Sequence, residues 1–320
     1  MTHGRVARSL VSIVTPSFNH ARFIEATIRS VLEQDYPRLE YFVMDGGSTD
    51  ESVRIIERYA KRLAGWISEP DGGQSAAINN GWRRAHGEIL AYLNSDDLYR
   101  PDAIRRAVEY LEAHPDVGMV YSDCEMIDAD GQRSEPTAVI PEFSLTWLLR
   151  NPLPQPTMFL RRTVVERIGF FDEGLRYVMD WDFCLRAAMA GIVIARIPGA
   201  PLAAFRNWGG QKTANRFEQH IEEQLRIRDR LLADSHLPPR LAREIALSKA
   251  WAFLWPAYQL YLRGDMTAAR RVLDQAVVVH RTIAAHPEFL GLYLRTLLGR
   301  RVAHGARGIK MKLRAGLSKS

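Results

Sequence analysis

Short apolar runs alternate with helical repeats of apolar residues over the first hundred positions of the chain. Apolar runs of strand length occur at residues 10–15, 39–44 and 88–93. The first two are followed by apolar residues at helical spacing, from Phe23 to Leu32 and from Val53 to Ala60. Strands that alternate with helices predict βαβ units and a mostly parallel sheet, whose ligands lie beyond the carboxyl ends of the strands.

The middle of the chain has a less regular pattern. We predict a single strand over residues 117–127, an irregular proline-rich segment over 136–156, and an apolar strand at 157–160. One helix is expected from Thr163 and another near Asp180.

From about residue 215 the pattern becomes wholly helical. Residues 248–262 and 266–279 are expected to form an antiparallel helix pair around the turn at Gly264. The sequence therefore predicts an α/β domain over residues 1–215 and an all-helical C-terminal region over 216–320.

Composition indicates an ordinary globular chain. Its 320 residues are 47% hydrophobic and 25% charged, enough to build a core. Cys124 and Cys184 are too few for a disulfide framework and lack zinc-site spacing, which fits a reducing compartment. The apolar run after the basic start is too short for a signal peptide, and residues 250–262 are too few to span a bilayer. We therefore expect a cytoplasmic protein.

The formal net charge of +6 arises largely near the C-terminus. Nine cations face only Glu288 over residues 281–320: Arg281, Arg295, Arg300, Arg301, Arg307, Lys310, Lys312, Arg314 and Lys319. Leucines are mixed with these cations, among them Leu294, Leu297 and Leu298. Such a region suits an anionic lipid surface at the inner face of a membrane, while a solvated tail, or leucines packed on the first domain, are the alternatives.

Two adjacent carboxylates, Asp96 and Asp97, follow the third apolar run on a turn that Pro101 closes. Each charge raises the cost of ionising the other, and a divalent cation is the simplest counter-ion. Mg²⁺ and Mn²⁺ take oxygen ligands, often one or two carboxylates together with substrate phosphates. The alternative is a solvated turn with Asp97 as a helix N-cap. As a loop carboxylate, Asp97 is expected to contribute little to the core.

Other polar residues fall at the predicted strand ends. Asp45 precedes two glycines and could accept a hydrogen bond from a base or a ribose hydroxyl, although the residues after it also suit an ordinary N-capping cluster. Asp71 and Gln74 flank a glycine pair at a helix entry, which suits a phosphate or base as well as a plain helix start.

Two further groups of residues suit catalysis and anion binding. Asp180 and Asp182 lie among aromatic residues, where loss of solvent could raise a carboxyl pKa and favour proton abstraction. Asp180 could equally be a helix cap. Arg206 and Lys212 lie on a glycine loop, which suits a diphosphate or merely an exposed surface.

Five segments, in this order and spacing, resemble family 2 glycosyltransferases of the GT-A fold: residues 11–19, 44–50, 69–74, 93–97 and 179–182. The resemblance covers roughly residues 9 to 215. It implies inverting transfer of a sugar from a nucleoside-diphosphate sugar to an acceptor hydroxyl, with Mn²⁺ or Mg²⁺ bridging the diphosphate.

The resemblance also implies roles for individual residues. Those expected to bind the nucleotide sugar are Thr15, Pro16, Phe18, Asp45, Asp71, Gln74, Asp96, Arg206 and Lys212. Asp45 would face the base, Asp97 would bind the metal, and Asp96 would contact the ribose or the metal. Asp180 matches the residue proposed as catalytic base.

The chain departs from the family pattern at two positions. Asn94 stands where many members have the first Asp, which weakens any expectation of a three-carboxylate metal site. Met179 stands where many have Glu, which leaves Asp180 or Asp182 as the base.

Other functions fit the sequence less well. Sugar-nucleotide pyrophosphorylases carry a Gly-rich loop with Arg after the first strand, where this chain has Pro-Ser-Phe-Asn at residues 16–19. A dehydrogenase is disfavoured because no G-x-G-x-x-G motif follows a strand. A non-catalytic binding or scaffold module is a further alternative. The Gln-x-x-Arg-Trp motif of processive synthases is absent, which favours transfer of one sugar. The expected acceptor is a saccharide or lipid-linked precursor of a cell-surface polysaccharide or glycolipid, with no nucleic-acid partner.

Overall fold

The computed structural model describes residues 9–138, 140–210 and 216–298. The chain divides into two compact units, the first ending at Gln211 and the second beginning at Lys212. The expected boundary after residue 215 falls at the edge of residues 211–215, which lie outside the described residues, so it stays a prediction.

A seven-stranded sheet lies at the centre of the first unit. In spatial order its strands are β10 (Val193–Arg196), β6 (Val117–Tyr121), β9 (Phe159–Arg161), β4 (Ile89–Tyr92), β1 (Val11–Ser17), β2 (Leu39–Asp45) and β3 (Gly65–Ser68). Four of the six neighbouring pairs are parallel, while β9 is antiparallel to both its neighbours. The predicted mostly parallel sheet is therefore confirmed.

A second, four-stranded sheet was not expected from the sequence. Its spatial order is β5 (Leu98–Tyr99), β11 (Ala203–Arg206), β7 (Cys124–Ile127) and β8 (Arg133–Ala138). The prediction of one strand over residues 117–127 is wrong, because the chain leaves the first sheet after β6 and joins the second at β7. Polar contacts hold the break: Ser122 Oγ accepts from the Leu202 N–H at 3.0 Å, and Asp123 pairs with Arg196 at 2.8 Å.

Seven helices are described in the first unit: α1 (Ile24–Leu32), α2 (Ser52–Tyr59), α3 (Gln74–Arg84), α4 (Ala103–Ala113), α5 (Leu145–Leu148), α6 (Arg162–Ile168) and α7 (Met179–Met189). Their apolar stripes form the core with the strands. In α1, for example, Ile24, Ile28 and Val31 are fully buried at helical spacing. The predicted segment over 136–156 is only partly irregular, since it includes the end of β8 and all of α5.

An aromatic cluster fixes α3 and α7 against β4. Trp82 of α3 stacks on Phe171 at 5.1 Å between ring centroids, and Phe171 lies 4.7 Å from Phe183 of α7 and 5.4 Å from Tyr92 of β4. Trp82 also donates from Nε1 to the Ala91 carbonyl at 3.2 Å. Because these rings are buried, the first turn of α7 is held close to the carboxyl end of β4.

The second unit is helical throughout its described part. Its helices are α8 (Phe217–Leu232), α9 (Pro239–Ser248), α10 (Leu254–Arg263), α11 (Met266–Val279) and a helix over 287–298. The predicted helix over 266–279 is confirmed, whereas the one over 248–262 is broken: residues 249–253 form 3₁₀ turns before α10. Pro256 explains the break, because proline lacks an N–H and clashes with the carbonyl four residues earlier. No described helix is long and apolar enough to cross a membrane.

We expect Gly81→Ala to lower the free energy of unfolding by up to about 2 kcal/mol. Alanine in a helix interior usually gains about 1 kcal/mol over glycine. At Gly81 of α3, however, an added Cβ would lie 2.6 Å from two methyl carbons of Val14, and such overpacking costs about 1 to 3 kcal/mol. Urea unfolding measures the change.

Gly291→Ala is the matched control, because Gly291 is also helical and no atom lies within 4 Å of its added Cβ. This variant should gain stability. A Gly81→Ala protein that gains as much stability as Gly291→Ala would contradict the tight contact between α3 and β1.

Candidate functional site

The carboxyl ends of β1 to β4 lie at one edge of the large sheet. At this edge the loop after β1 is hydrogen-bonded to the loop after β2. Asn19, after β1, donates its N–H to Ser48 Oγ at 2.7 Å and accepts from the Thr49 N–H at 2.8 Å through Oδ1. Asn19 has φ of 53°, a left-handed conformation that asparagine tolerates better than most residues. The loops after β1 and β2 therefore form one cross-linked rim.

Asp45 ends β2 and holds the turn that follows it. Its buried carboxylate accepts from the Ser48 N–H at 2.8 Å, from Ser48 Oγ at 2.6 Å and from Ser68 Oγ at 2.8 Å. A carboxylate has about four acceptor positions, so some capacity remains for a ligand. Asp45 thus has a structural role in the loop before α2 that the sequence did not reveal.

Asp71, in the loop after β3, lies close to the Asp45 turn. A Cβ added at Gly46 would lie 3.2 Å from both carboxylate oxygens of Asp71, so glycine is what allows this approach. Asp71 also accepts from the Gly73 N–H at 2.7 Å. Partial burial and the charge of Asp45 raise the pKa of Asp71. The loop that carries Asp71 therefore lies against the turn that follows Asp45, with Gly46 at the point of contact.

The predicted contacts on β1 lie in different environments. Thr15 is fully buried and accepts a hydrogen bond from the Tyr41 hydroxyl at 2.9 Å, and Pro16 is also buried. Phe18 is 58% exposed beside the rim. Only the Phe18 side chain, of these three, is available to stack on a planar ligand from solvent.

A chain of side-chain amides connects α3 to β4. Gln74 Nε2 donates to Asn94 Oδ1 at 2.7 Å, Asn94 Nδ2 donates to Gln155 Oε1 at 2.8 Å, and Gln155 Nε2 donates to the Tyr92 carbonyl at 2.9 Å. Since a carbonyl oxygen can only accept, the Tyr92 end fixes the orientation of all three amides. Sequence reasoning missed Gln155, whose single signal is a polar residue between two prolines.

Asp97 is held rigidly between the two sheets. It is 1% exposed, its Oδ1 accepts from the Arg206 main-chain N–H at 2.9 Å, and Thr27 Oγ1 donates to its carbonyl at 2.8 Å. The expectation that Asp97 contributes little to the core is therefore wrong. It is not a helix N-cap either, because Asp102 precedes α4.

Arg206 is the last residue of β11, so its predicted place on a glycine loop is wrong. The side chain is buried because its donors bind main-chain oxygens. Nε donates to the Asp96 carbonyl at 2.7 Å, and Nη1 donates to the carbonyls of Asp128 and Ala129 at 3.0 Å. Arg206 thus holds the backbone of the Asp96–Asp97 turn in place through hydrogen bonds and does not present its guanidinium to solvent. Lys212 lies outside the described residues.

Trp208 holds the carboxylate of Asp96. Its Nε1 donates to Asp96 Oδ2 at 2.9 Å, and its ring lies 4.8 Å from Phe23 and 5.8 Å from His20. His20 Nδ1 in turn lies 2.7 Å from Ser95 Oγ. The sequence pattern assigned no role to Trp208 or His20, since neither belongs to the segments that carry the resemblance.

Asp180 and Asp182 differ sharply in environment. Asp180, in the first turn of α7, is half-buried and accepts from the Trp181 N–H at 2.8 Å. Burial raises the pKa of Asp180 to about 6, the direction expected from its surroundings. Val178, not Asp180, is the N-cap of α7. Asp182 is fully buried and pairs with Arg186 at 2.8 Å.

Tyr92 is a buried residue at the end of β4. Burial raises the pKa of its hydroxyl well above the usual range, and the charges of Asp180 and Asp97 raise it further. Its ring packs on Phe171, which packs in turn on Phe183 of α7.

Comparisons with known proteins agree with this geometry. Residues 12–169 match glycosyl transferase family 2. An uncharacterised glycosyltransferase of Mycobacterium tuberculosis is 35% identical over 185 residues, which cover 56% of this chain and 69% of that protein. The chain belongs to glycosyl transferase family 2. It is also 29% identical over 210 residues to a PGL/p-HBAD biosynthesis glycosyltransferase of Mycobacterium bovis, covering 64% of this chain and 80% of the relative.

Solved structures show the same fold at low sequence identity. TarS from S. aureus, in complex with UDP-GlcNAc, has a TM-score of 0.61 at 17% identity and covers 86% of this chain and 92% of its own. The mannosyltransferase PcManGT from Pyrobaculum calidifontis, in complex with GDP-Man and Mn²⁺, has a TM-score of 0.60 at 20% identity, covering 91% and 85%. The predicted GT-A fold is confirmed.

The two departures of this glycosyltransferase from the family pattern have structural counterparts. Asn94 Nδ2 donates to Gln155 Oε1 and lies 3.4 Å from Asp97 Oδ2. An ionised aspartate at this position could make neither contact, because a carboxylate has no hydrogen to donate. Met179 is buried, and its sulfur accepts from the Ser75 hydroxyl at 2.7 Å, so it fastens α7 to α3.

The acidic turn of this glycosyltransferase has the chemistry of a shared cation site. Burial, together with the charge of Asp96, raises the pKa of Asp97 well above its usual range, a cost that a bound cation would remove. Within the described residues no group of three or more His, Cys, Asp or Glu could hold a metal ion. Two adjacent carboxylates match the usual protein share of a Mg²⁺ site, in which one or two carboxylates are combined with substrate phosphates.

We expect Trp208→Phe to raise the Mn²⁺ concentration for half-maximal turnover about tenfold. Phenylalanine keeps an aromatic ring near Phe23 but loses the N–H that orients Asp96, and removing such a supporting hydrogen bond typically weakens metal binding about 10- to 100-fold. Mn²⁺ titrations of turnover measure the change. Trp255→Phe, in α10, is the matched control, and an equal Mn²⁺ requirement in all three proteins would refute the role of Trp208.

Proposed function

We propose that this glycosyltransferase moves one sugar from a nucleoside-diphosphate sugar to an acceptor hydroxyl, with inversion at the anomeric carbon. The observation that carries the proposal is the acidic Asp96–Asp97 turn after β4, together with Asp180 in the first turn of α7, a helix that the Tyr92–Phe171–Phe183 packing holds against β4. A proton acceptor and an acidic, cation-binding turn are the two groups that such a transfer needs. The complexes of TarS with UDP-GlcNAc and of PcManGT with GDP-Man support this class of donor.

The nucleoside is proposed to bind at the rim formed by the loops after β1, β2 and β3. Phe18 offers an exposed ring, while Asp45 and Asp71 offer carboxylate oxygens that can accept from base or ribose donors. Thr15 and Pro16 contribute through the shape of β1, because their side chains are buried. Gln74 is bound to Asn94 and acts by fixing the start of α3.

The diphosphate is proposed to lie beside Asp96 and Asp97, which would hold Mn²⁺ or Mg²⁺ between them and its oxygens. The cation would neutralise charge that develops on the departing nucleoside diphosphate. Arg206 supports the turn through main-chain carbonyls, and Trp208 orients Asp96. The predicted contact of Lys212 with the diphosphate is retained as part of the proposal.

Asp180 is the proposed general base. As the acceptor oxygen bonds to the anomeric carbon, its proton passes to the Asp180 carboxylate and the bond to the diphosphate oxygen breaks, with the electron pair leaving on that oxygen. A base with a pKa of about 6 is largely ionised at neutral pH, yet holds a proton better than an ordinary aspartate. Asp182 is less suited, since Arg186 already neutralises its charge.

The proposed acceptor is a saccharide or lipid-linked precursor in polysaccharide or glycolipid synthesis, used at the cytoplasmic side of the membrane. The PGL/p-HBAD biosynthesis relative supports a role in such a pathway. No nucleic-acid partner is proposed.

We expect Asp97→Asn to abolish Mn²⁺-dependent donor binding while the protein stays folded. Asparagine keeps an oxygen that can accept from the Arg206 N–H but removes the charge that a divalent cation needs. Calorimetric titration with UDP and GDP sugars, with and without Mn²⁺, tests this together with the unfolding temperature. Asp130→Asn is the control, because Asp130 is an exposed acid of the same unit. Unchanged Mn²⁺ dependence in Asp97→Asn would show that the metal assignment is wrong.

We expect Asp180→Asn to keep donor affinity and to lose about 10²- to 10⁴-fold in turnover, the usual contribution of a general base. Because protonation of Asp180 removes the base, parent activity should rise with pH through a limb near 6. The variant should lack this limb. Asp182→Asn should instead lower the unfolding temperature, since it leaves Arg186 without its charge partner. Near-normal turnover in Asp180→Asn would transfer the role to Asp182.

A further inference from the structure

Exposed apolar side chains are concentrated in the second unit. Ten large hydrophobic residues are exposed in the described part of the chain, and eight of them lie in this unit. Four of the eight are leucines on the single helix over 287–298: Leu290, Leu294, Leu297 and Leu298, which are 44–58% exposed. Scattered exposed leucines are normal, but four on one helix form a patch that indicates a binding surface.

The four leucines form one continuous face. At about 100° per residue they fall within an arc of about 100°, so they project from the same side of the helix. The helix packs into its own unit through the opposite side, where Phe289, Leu292 and Thr296 are buried. The leucine face, defined as Leu290, Leu294, Leu297 and Leu298, is therefore not the side that folds against the core.

Strong positive charge follows this helix directly in the sequence. Residues 299–320 contain seven cations, Arg300, Arg301, Arg307, Lys310, Lys312, Arg314 and Lys319, and no Asp or Glu. Within the helix, Glu288 precedes the leucine face and Arg295 lies among its residues. An apolar face adjoining a cationic segment matches a partner that is apolar inside and negatively charged outside.

A bilayer with anionic lipids has this chemistry, whereas a second copy of the chain does not. A second copy would carry the same seven cations and no acid over residues 299–320, so it offers no complementary charge. An anionic bilayer instead accepts leucines at its interface and attracts the cations to its headgroups.

We propose that the leucine face is a peripheral attachment site for anionic membrane lipid. The leucines enter the interface beside the headgroups, and the seven cations that follow the helix in the sequence favour an anionic surface. The site deepens the proposed use of a lipid-linked acceptor, and lipid binding can be measured without any donor or acceptor. Its failure is therefore distinguishable from failure of the proposed function.

Vesicle co-sedimentation of the full chain tests the proposal at low salt. We expect the parent to bind phosphatidylcholine vesicles containing about 30 mol% phosphatidylglycerol, and to release them as salt screens the cations. Leu294→Glu/Leu297→Glu should weaken this binding at least about tenfold, because it places charge on the leucine face. Changing Arg307, Lys310, Lys312 and Arg314 to Gln should weaken binding to anionic vesicles and remove most of its salt dependence.

Two controls keep this test specific. Val278→Glu alters an even more exposed residue, in α11, and should bind vesicles like the parent. The leucine variant should keep the parent unfolding temperature and rate of donor hydrolysis, because its two side chains are exposed and lie outside the first unit.

Several outcomes would overturn the proposal. These are no vesicle binding by the parent at low salt, equal binding by the leucine variant, or an equal loss in Val278→Glu. Light scattering adds a fourth: if the parent is a dimer that Leu294→Glu/Leu297→Glu makes monomeric, and neither protein binds vesicles, the leucine face joins copies of the chain instead.

Discussion

The hydrogen bond from the Arg206 main-chain N–H to the Asp97 carboxylate ties together the parts on which the site depends. Asp97 follows β4 of the large sheet, and Arg206 ends β11 of the small one. The guanidinium of Arg206 completes the joint by binding the Asp96 carbonyl beneath the same turn. The joint also holds the buried Asp97 carboxyl beside Asp96, and the second negative charge at this point is costly without a counter-ion. The position of that charge is therefore set by the pairing of two sheets rather than by a flexible loop.

Apolar packing positions the helix that carries the proposed base. Trp82, Phe171 and Phe183 fill the space between β4, α3 and α7, and Met179 fastens α7 to Ser75. Interiors pack as densely as organic crystals and resist small displacements. The helix that carries Asp180 is consequently held against β4, the strand that leads into the acidic turn. Burial by the same packing gives Asp180 its raised pKa, so position and acidity have one origin.

The sequence predicted the parts of the fold that repeat a local period. Parallel strands and their helices produce regular apolar spacing, and polar residues at the strand ends predicted the edge of the sheet at which the candidate site lies. The second sheet was missed because β5, β7 and β11 are short and because β11 pairs with strands far away in the sequence, although β7 and β8 are neighbours in the chain. Cys124 of β7 faces Ala203 of β11, and no local pattern records a partner so far along the chain.

The same limit applies to individual site residues. Asp180 and Asp182 are two positions apart and chemically identical in the sequence, yet only the structure gives Asp182 an ion pair with Arg186. Trp208 and Gln155 escaped notice because each acts on a residue that is remote in the chain. By contrast, Phe18 directly follows an apolar strand in the sequence, and this position was enough to predict a place at the strand end, where its side chain is exposed.

The presence of Asn94 in place of an acid has a consequence for how a cation would bind under the proposed function. The turn offers two carboxylates, and Asp97 already accepts from Arg206 and lies near the amide of Asn94. Each such hydrogen bond uses lone pairs that a metal could otherwise take. Hard cations need about six oxygens, so most of them must come from water and the diphosphate. Cation and donor are therefore expected to bind together. The diphosphate supplies oxygen ligands that the turn lacks, and the cation supplies positive charge that neutralises the diphosphate.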